Sequence, residues 1–168
     1  MAKLKNLALL GRETALKIED AVKEKLLEEA VKQTGIPRTK WVVRDLLPSD
    51  LELTEWSFTY DSTGENDVVD TTLPKKKFIA IFGIAILDPN PKAVWVKFKK
   101  DQDIKEVWGL EDLYALEEPR SYTPEPIMYY QEDNLKITIY TTEAKTEKIV
   151  LIGYVAEEVG KTITVRPS

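Results

Sequence analysis

The sequence predicts a mainly β protein, an antiparallel β-sandwich of jelly-roll type that follows an N-terminal α-helix. Three observations lead to this prediction: helical periodicity stops at Pro37, many short apolar segments follow, and a proline-rich stretch at 110–128 interrupts them. The 168 residues suit one sandwich with an appended helix, because domains commonly contain about 100–200 residues. We therefore divide the chain into an N-terminal helical segment, residues 1–37, and a sandwich domain, residues 38–168.

The first predicted element is a single helix over residues 13–34. Thr14 is placed to cap its start, and Gly35 and Pro37 supply a stop. Apolar side chains recur at helical spacing along one face, at Ile18, Val22, Leu26 and Ala30. We expect this stripe to cover the outer face of strand 78–87, in its own subunit or in a neighbour. Ile18, Val22 and Leu26 are accordingly candidate interface residues, together with Trp95.

Ten short strands are predicted after Pro37, separated by turn sequences rich in Asp, Asn, Gly and Pro. They cover residues 40–45, 53–60, 67–72, 78–87, 93–100, 105–108, 127–130, 135–142, 148–155 and 162–166. The expected core residues within them are Phe82, Ile84, Ile86, Val96, Ile139, Leu151 and Ile152. Strands without intervening helices are typical of an antiparallel sandwich or barrel, whereas a parallel sheet alternates strands with helices.

Residues 110–128 break the regular spacing of the strands. The segment begins with a helical pattern at 111–116, after which Pro119, Pro124 and Pro126 follow in short order. We expect a long ordered crossover here, of the kind that a Greek-key or jelly-roll topology requires.

Composition excludes several classes of function. The chain has no cysteine and no histidine, so it offers no disulfide, no imidazole base and none of the common zinc ligand sets. Its net charge of −5 argues against nucleic acid as the main partner, because phosphate binding needs a cationic surface. The longest apolar run, residues 78–87, falls short of the ~18–20 residues of a membrane-spanning helix. We expect no metal, no cofactor, no nucleic acid and no membrane partner.

Trp95 is the most informative single residue. Alternation along residues 93–100 places it on the outer side of its strand, beside Lys97 and Lys99. The core side is then expected to carry Val94, Val96 and Phe98. The neighbouring strand 78–87 is apolar on both faces, so something must cover its outer side. We expect Trp95 to lie at the edge of that second buried layer, under the helix or a neighbouring chain.

A ligand-binding role is the alternative for the aromatic residues. Rings on a sandwich face can stack on sugars or bases, although large aromatic residues are also common in cores and subunit interfaces. The candidates for ligand stacking are Trp95, Trp108 and Tyr122.

Paired carboxylates such as Glu111 and Asp112 are adjacent in the chain, and neighbouring strand residues point to opposite faces. A carboxylate-dependent hydrolase is therefore only a third hypothesis.

In general organisation, residues 40–166 resemble the β-sandwich and jelly-roll structural proteins of viruses, including head and tail components of tailed phages. The resemblance rests on the pattern of short strands and brings no site residues with it. It implies a non-enzymatic structural or assembly subunit of a virion that contacts other protein subunits, as a homo-oligomer or within a larger assembly. If the protein is not part of a virion, we expect it to be soluble and cytoplasmic. The alternative function is a carbohydrate- or small-ligand-binding sandwich.

Overall fold

The computed structural model describes residues 4–6 and 12–160. The helix α1 spans Arg12–Thr34, in agreement with the predicted range. The strands are β1 Lys5–Asn6, β2 Trp41–Asp45, β3 Phe58–Thr59, β4 Gly64–Thr72, β5 Lys77–Ile86, β6 Ala93–Lys100, β7 Asp103–Gly109, β8 Arg120–Tyr129, β9 Asn134–Thr141, β10 Thr146–Glu147 and β11 Ile149–Glu158. The strand predicted at 162–166 lies outside the described residues.

Two antiparallel sheets pack face to face. The helix-covered sheet has the order β1–β8–β5–β11–β2, and the open sheet has the order β4–β9–β6–β7. A short ladder of β3 and β10 stands beside them. The long strands pair in a nested fashion, with β2 on β11, β4 on β9, β5 on β8 and β6 on β7. This nesting is the strand order of a jelly roll, so the predicted fold class is confirmed.

The main core fills the space between the sheets with alternate side chains of each strand. Phe98 and Trp108 meet there with ring centroids 4.6 Å apart. Six of the seven predicted core residues are buried, namely Phe82, Ile84, Ile86, Val96, Ile139 and Leu151. The seventh, Ile152, is only half-buried, because it follows Leu151 directly and so points to the opposite face of its strand.

A second apolar layer lies between α1 and the outer face of the helix-covered sheet. Val22 and Leu26 of the helix pack there against a group that includes Phe78 and Phe82, and Phe82 stacks on Tyr154 at 5.4 Å. This layer explains why β5 is apolar on both faces, as the sequence led us to expect. The cover comes from the protein's own helix.

Two predicted elements are wrong in extent. The predicted strand 53–60 shortens to Phe58–Thr59, and the expected crossover at 110–128 contains most of β8. The partners of β8 on β5 jump from Ile127, opposite Ile81, to Tyr122, opposite Gly83, so residues 123–126 form a wide bulge. A bulge leaves residues outside the ladder, and for this reason the strand accommodates two prolines.

Candidate functional site

Trp95 and Tyr140 form a stacked aromatic pair on the outer face of the open sheet. They lie directly opposite each other on β6 and β9, with ring centroids 5.4 Å apart and ring planes inclined by 25°. Lys97 places its Nζ 4.9 Å from the centre of the Trp95 ring, a cation–π contact. Trp95 is half-buried and Tyr140 is exposed, so the pair presents aromatic surface to solvent.

This pair lies on the side of the sandwich away from α1. The helix contacts β2, β5, β8 and β11, whereas Trp95 belongs to the other sheet. The expectation that Trp95 borders the helix-covered layer is therefore wrong. The inward position of Val94 is also corrected: the ladder of β6 and β9 shifts register between Ala93 and Trp95, which buries Ala93 and leaves Val94 half-buried.

Salt bridges continue along the outer face beside the aromatic pair. Lys97 Nζ lies 2.9 Å from a carboxylate oxygen of Glu65, and Lys136 Nζ lies 3.3 Å from one of Asp67. The Thr138 hydroxyl donates a hydrogen bond to Asp67 at 2.7 Å. That hydrogen bond, followed by the contact with Lys136, lowers the pKa of Asp67. Asp67 therefore remains ionised at neutral pH.

The far end of the same face is basic and partly apolar. Lys99 lies opposite Lys136 on β9 and opposite Ile104 on β7. Like charges in this position repel each other, and Lys99 forms no salt bridge within the described part of the chain. The Ile104 side chain is 57% exposed. We call the six residues of this surface the open-sheet patch: Trp95, Lys97, Lys99, Ile104, Lys136 and Tyr140.

An opening borders the patch at Gly109. This glycine lies opposite Trp95 on β7, and a side chain added to it would meet no atom within 4 Å. Tyr140 stacks on the Trp95 ring and Lys97 lies over it, and the opening at Gly109 lies beside this pair on the side of β7. An apolar group of a ligand or of another protein can enter the opening beside the ring.

The other two ligand candidates occupy buried positions. Trp108 is 1% exposed and packs in the main core, and Tyr122 is 1% exposed in the layer beneath α1. Neither ring has a face for a ligand, so the ligand-stacking prediction is retained for Trp95 alone. Trp108 points inward because it lies opposite Val96, whose side chain fills the core.

The candidate interface residues of the helix pack against the sheet of their own subunit. Val22 is 2% exposed and Leu26 is 0% exposed against the helix-covered sheet, and Ile18 packs at the edge of the same layer. A side chain that is already buried in its own fold offers nothing to a second chain. The interface assignment of Val22 and Leu26 is therefore corrected, whereas the half-buried Ile18 and Trp95 remain candidates.

An ion cluster that the sequence did not reveal lies at one end of the helix-covered sheet. The Arg44 guanidinium donates to both carboxylate oxygens of Asp50, at 2.8 and 2.6 Å, and to Glu157 at 2.9 Å. Lys77 Nζ lies 2.9 Å from Asp50. Burial alone would raise the pKa of Asp50, but the bonds from Arg44 and Lys77 outweigh it and lower that pKa. Two cations and two carboxylates balance, as in a structural ion network.

A buried carboxylate, Glu147, lies at the loop end of the sandwich. It is 0% exposed and accepts hydrogen bonds from the Tyr60 hydroxyl at 2.8 Å and from the backbone amide of Lys92. Lys145 Nζ lies 3.8 Å from a carboxylate oxygen of Glu147 and 2.9 Å from one of Asp88. Burial, followed by the charge of Glu147, raises the pKa of Tyr60 above its ordinary value. Glu147 thus ties β10 to the loop before β6.

The described residues contain no group of three or more His, Cys, Asp or Glu side chains arranged to hold a metal ion. None of their helices combines the length and apolar character needed to cross a membrane.

No protein-family model matches the chain, and no curated protein matches its sequence.

Proposed function

We propose that the protein is a non-enzymatic structural subunit, a capsid- or tail-associated component of a virion, that assembles with other copies of itself through the open-sheet patch. The carrying observation is the difference between the two outer faces of the sandwich. One is sealed by α1, whereas the other presents a stacked aromatic pair and the exposed Ile104 without a covering helix among the described residues. The jelly-roll strand order supports the proposal because viral capsid proteins use it.

The charges favour a head-to-tail contact between copies. Lys97 and Lys136 already pair with Glu65 and Asp67, whereas Lys99 has no salt bridge among the described residues, and the chain as a whole has a net charge of −5. A two-fold contact of the patch with itself offers Lys99 no free carboxylate, because Glu65 and Asp67 are already paired. An acidic surface elsewhere on a neighbouring copy provides one. Such heterologous contacts build rings or extended arrays, the forms that virion shells and tails require.

Sedimentation velocity over a range of protein concentrations tests this proposal. The wild-type protein should form oligomers that dissociate at high salt, because exposed ion pairs are screened. Replacing Ile104 by Ser should weaken assembly, whereas Leu87→Ser should not. Leu87 is the matched control because its exposure, 55%, is close to the 57% of Ile104. A wild-type protein that stays monomeric at millimolar concentration would contradict the proposal.

A carbohydrate-binding sandwich is the second candidate function. The observation in its favour is the opening at Gly109 beside the Trp95–Tyr140 pair, since aromatic rings stack on sugars and jelly rolls also occur in lectins. Glycan-array binding that is lost in Trp95→Ala, with the oligomeric state unchanged, would favour this function over assembly.

A further inference from the structure

A groove of ≈ 450 Å³ separates α1 from the β6–β7 hairpin. Lys25 of the helix and Lys105 of β7 line it from different elements, and Ile127 and Met128 of β8 line it as consecutive positions. Their side chains point to opposite faces of the sheet, Ile127 into the main core and Met128 toward the layer beneath α1. A groove that touches both therefore runs along the edge of the strand. We call it the β8 groove.

This edge of β8 lacks a strand partner in the described part of the chain. On one side, Ile127, Met128 and Tyr129 pair with β5. On the other side, the described residues of β1 pair with Ser121 and Tyr122, beyond the bulge. An unpaired strand edge presents backbone N–H and C=O groups that an extended peptide can bind by strand addition.

The molecule already contains one example of strand addition at this edge. The strand β1 joins β8 in antiparallel register, with Lys5 opposite Tyr122. The bulge at 123–126 ends that ladder because Pro124 and Pro126 have no N–H to donate. The same edge is thus divided in two, one part occupied by β1 and the other part facing the groove.

The charges around the groove select the kind of peptide. Lys25 and Lys105 are exposed, and neither forms a salt bridge with any residue that the structure describes. Lys100 also lines the groove, but its Nζ lies 3.0 Å from a carboxylate oxygen of Asp133 and 4.0 Å above the Tyr130 ring, so its charge is already paired. Lys25 and Lys105 are therefore the cations of the lining that remain without a salt bridge among the described residues, beside the carboxylates of Glu106 and Glu125. The same edge of a second copy would bring like charges together, whereas an acidic strand would pair with them.

We propose that the β8 groove binds an extended acidic segment of a partner protein, which adds as a strand to the edge of β8. Backbone hydrogen bonds to the alternate residues of 127–129 whose N–H and C=O groups point away from β5 hold the segment, and its carboxylates pair with Lys25 and Lys105. This site is separate from the open-sheet patch and does not depend on assembly through that patch. It adds a second partner, recognised by different chemistry.

Fluorescence anisotropy with a labelled heptapeptide of alternating Val and Glu tests the site on the full-length protein. The double variant Lys25→Glu, Lys105→Glu should bind it about tenfold or more weakly than the wild type. The matched control is Lys17→Glu, Lys32→Glu, which makes the same change in net charge at exposed positions of α1 outside the groove. Equal weakening by both double variants, or no saturable binding by the wild type, would overturn the proposal.

A second measurement separates strand addition from simple anion binding. Heptapeptides N-methylated at alternate residues keep every charge but lose hydrogen-bond donors on one edge. One of the two methylation patterns should abolish binding and the other should preserve it. Equal binding of both, or equally tight binding of a single-stranded oligonucleotide, would show a general anion site instead. Trp95→Ala should leave peptide binding unchanged, which keeps this test distinct from that of assembly.

Discussion

Asp50 is a buried carboxylate held by two cations and one backbone amide. Its side chain is 3% exposed, and Arg44, Lys77 and the amide of Leu47 all bond to it within 2.9 Å. Removing one partner of a buried ion pair leaves the remaining charges without compensation, and desolvated charges are costly. The cluster joins β2, β5 and β11, so its loss would loosen one end of the helix-covered sheet.

We expect Asp50→Asn to lower the free energy of unfolding by about 3–5 kcal/mol at pH 7, measured by urea denaturation. Asp70→Asn, at an exposed position, is the control and should change it by less than about 0.5 kcal/mol. Because folding lowers the pKa of Asp50, its contribution is present above the ordinary pKa of about 4 and is lost as the pH falls through the folded pKa. A difference from wild type that persisted unchanged to pH 2 would contradict this assignment.

Gly153 allows two strands to approach closely. A Cβ atom at this position would lie 2.2 Å from the carbonyl oxygen of Ala80 on the neighbouring strand, where the register of β11 shifts. Gly153→Ala should therefore cost about 3 kcal/mol or more, because backbone must move. Gly109→Ala should change stability by less than about 0.5 kcal/mol, since the added methyl meets nothing within 4 Å. Thermal unfolding followed by circular dichroism compares the two variants, and equal losses would refute the close approach.

The helix α1 covers one face of the helix-covered sheet. Leu26 lies on the side of the helix that packs against the sheet and is 0% exposed, whereas Leu16 on the same helix is 46% exposed. We expect Leu26→Ala to lower the free energy of unfolding by about 2–5 kcal/mol through the cavity it leaves. Leu16→Ala should lower it by less than about 0.5 kcal/mol. If both variants unfolded at the same urea concentration, the helix would not be docked as described.

The sequence predicted α1 and the long strands because each has one clear period. Residues 78–86 contain no polar side chain, a pattern that predicts a strand buried on both faces. In the structure α1 covers the outer face of that strand. The prediction for β8 was wrong because two prolines, Pro124 and Pro126, normally exclude a strand. The bulge that contains them is visible only in the register of β8 against β5. Trp108 was misplaced because the large apolar residues of β7, Ile104, Val107 and Trp108, do not follow strict alternation, so the sequence does not show which face points inward.

Sites built from distant positions were beyond sequence reasoning. The Arg44–Asp50 pair is close in the chain, but Lys77 and Glu157 join it only because β5 and β11 are neighbours in the sheet. The β8 groove likewise combines a helix, a hairpin and a strand edge. Such sites depend on strand order, and a single sequence does not determine strand order. The position of Trp95 on an outer face was predicted, but the identity of the sheet was not.

The whole molecule should have a broad stability plateau around neutral pH. The chain contains no histidine, so no side chain with an ordinary pKa near 6.5 changes charge between pH 6 and 8. Folding lowers the pKa of Asp50 and Asp67, so stability is lost in acid below about pH 4. Burial raises the pKa of Tyr154 to about 12, so stability is lost in alkali above about pH 10, where the unfolded tyrosine ionises first.

Urea denaturation across pH 2–11 checks this profile. We expect the free energy of unfolding to vary by less than about 1 kcal/mol between pH 6 and 8 and to fall on both sides of the plateau. A maximum within that interval would show that a group with a strongly perturbed pKa titrates there.

The docking surface of α1 also constrains how the protein is made. The helix ends at Thr34, but β11, which supplies Tyr154 to that surface, begins only at Ile149, 149 − 34 = 115 residues later. A ribosome that adds ~5–20 residues per second needs about 6–23 s to synthesise that interval. Throughout this time the apolar stripe of the helix belongs to a nascent chain whose docking surface for it is incomplete. A chaperone that shields it should raise the yield of native protein, and a helix with a weaker stripe should depend less on that help.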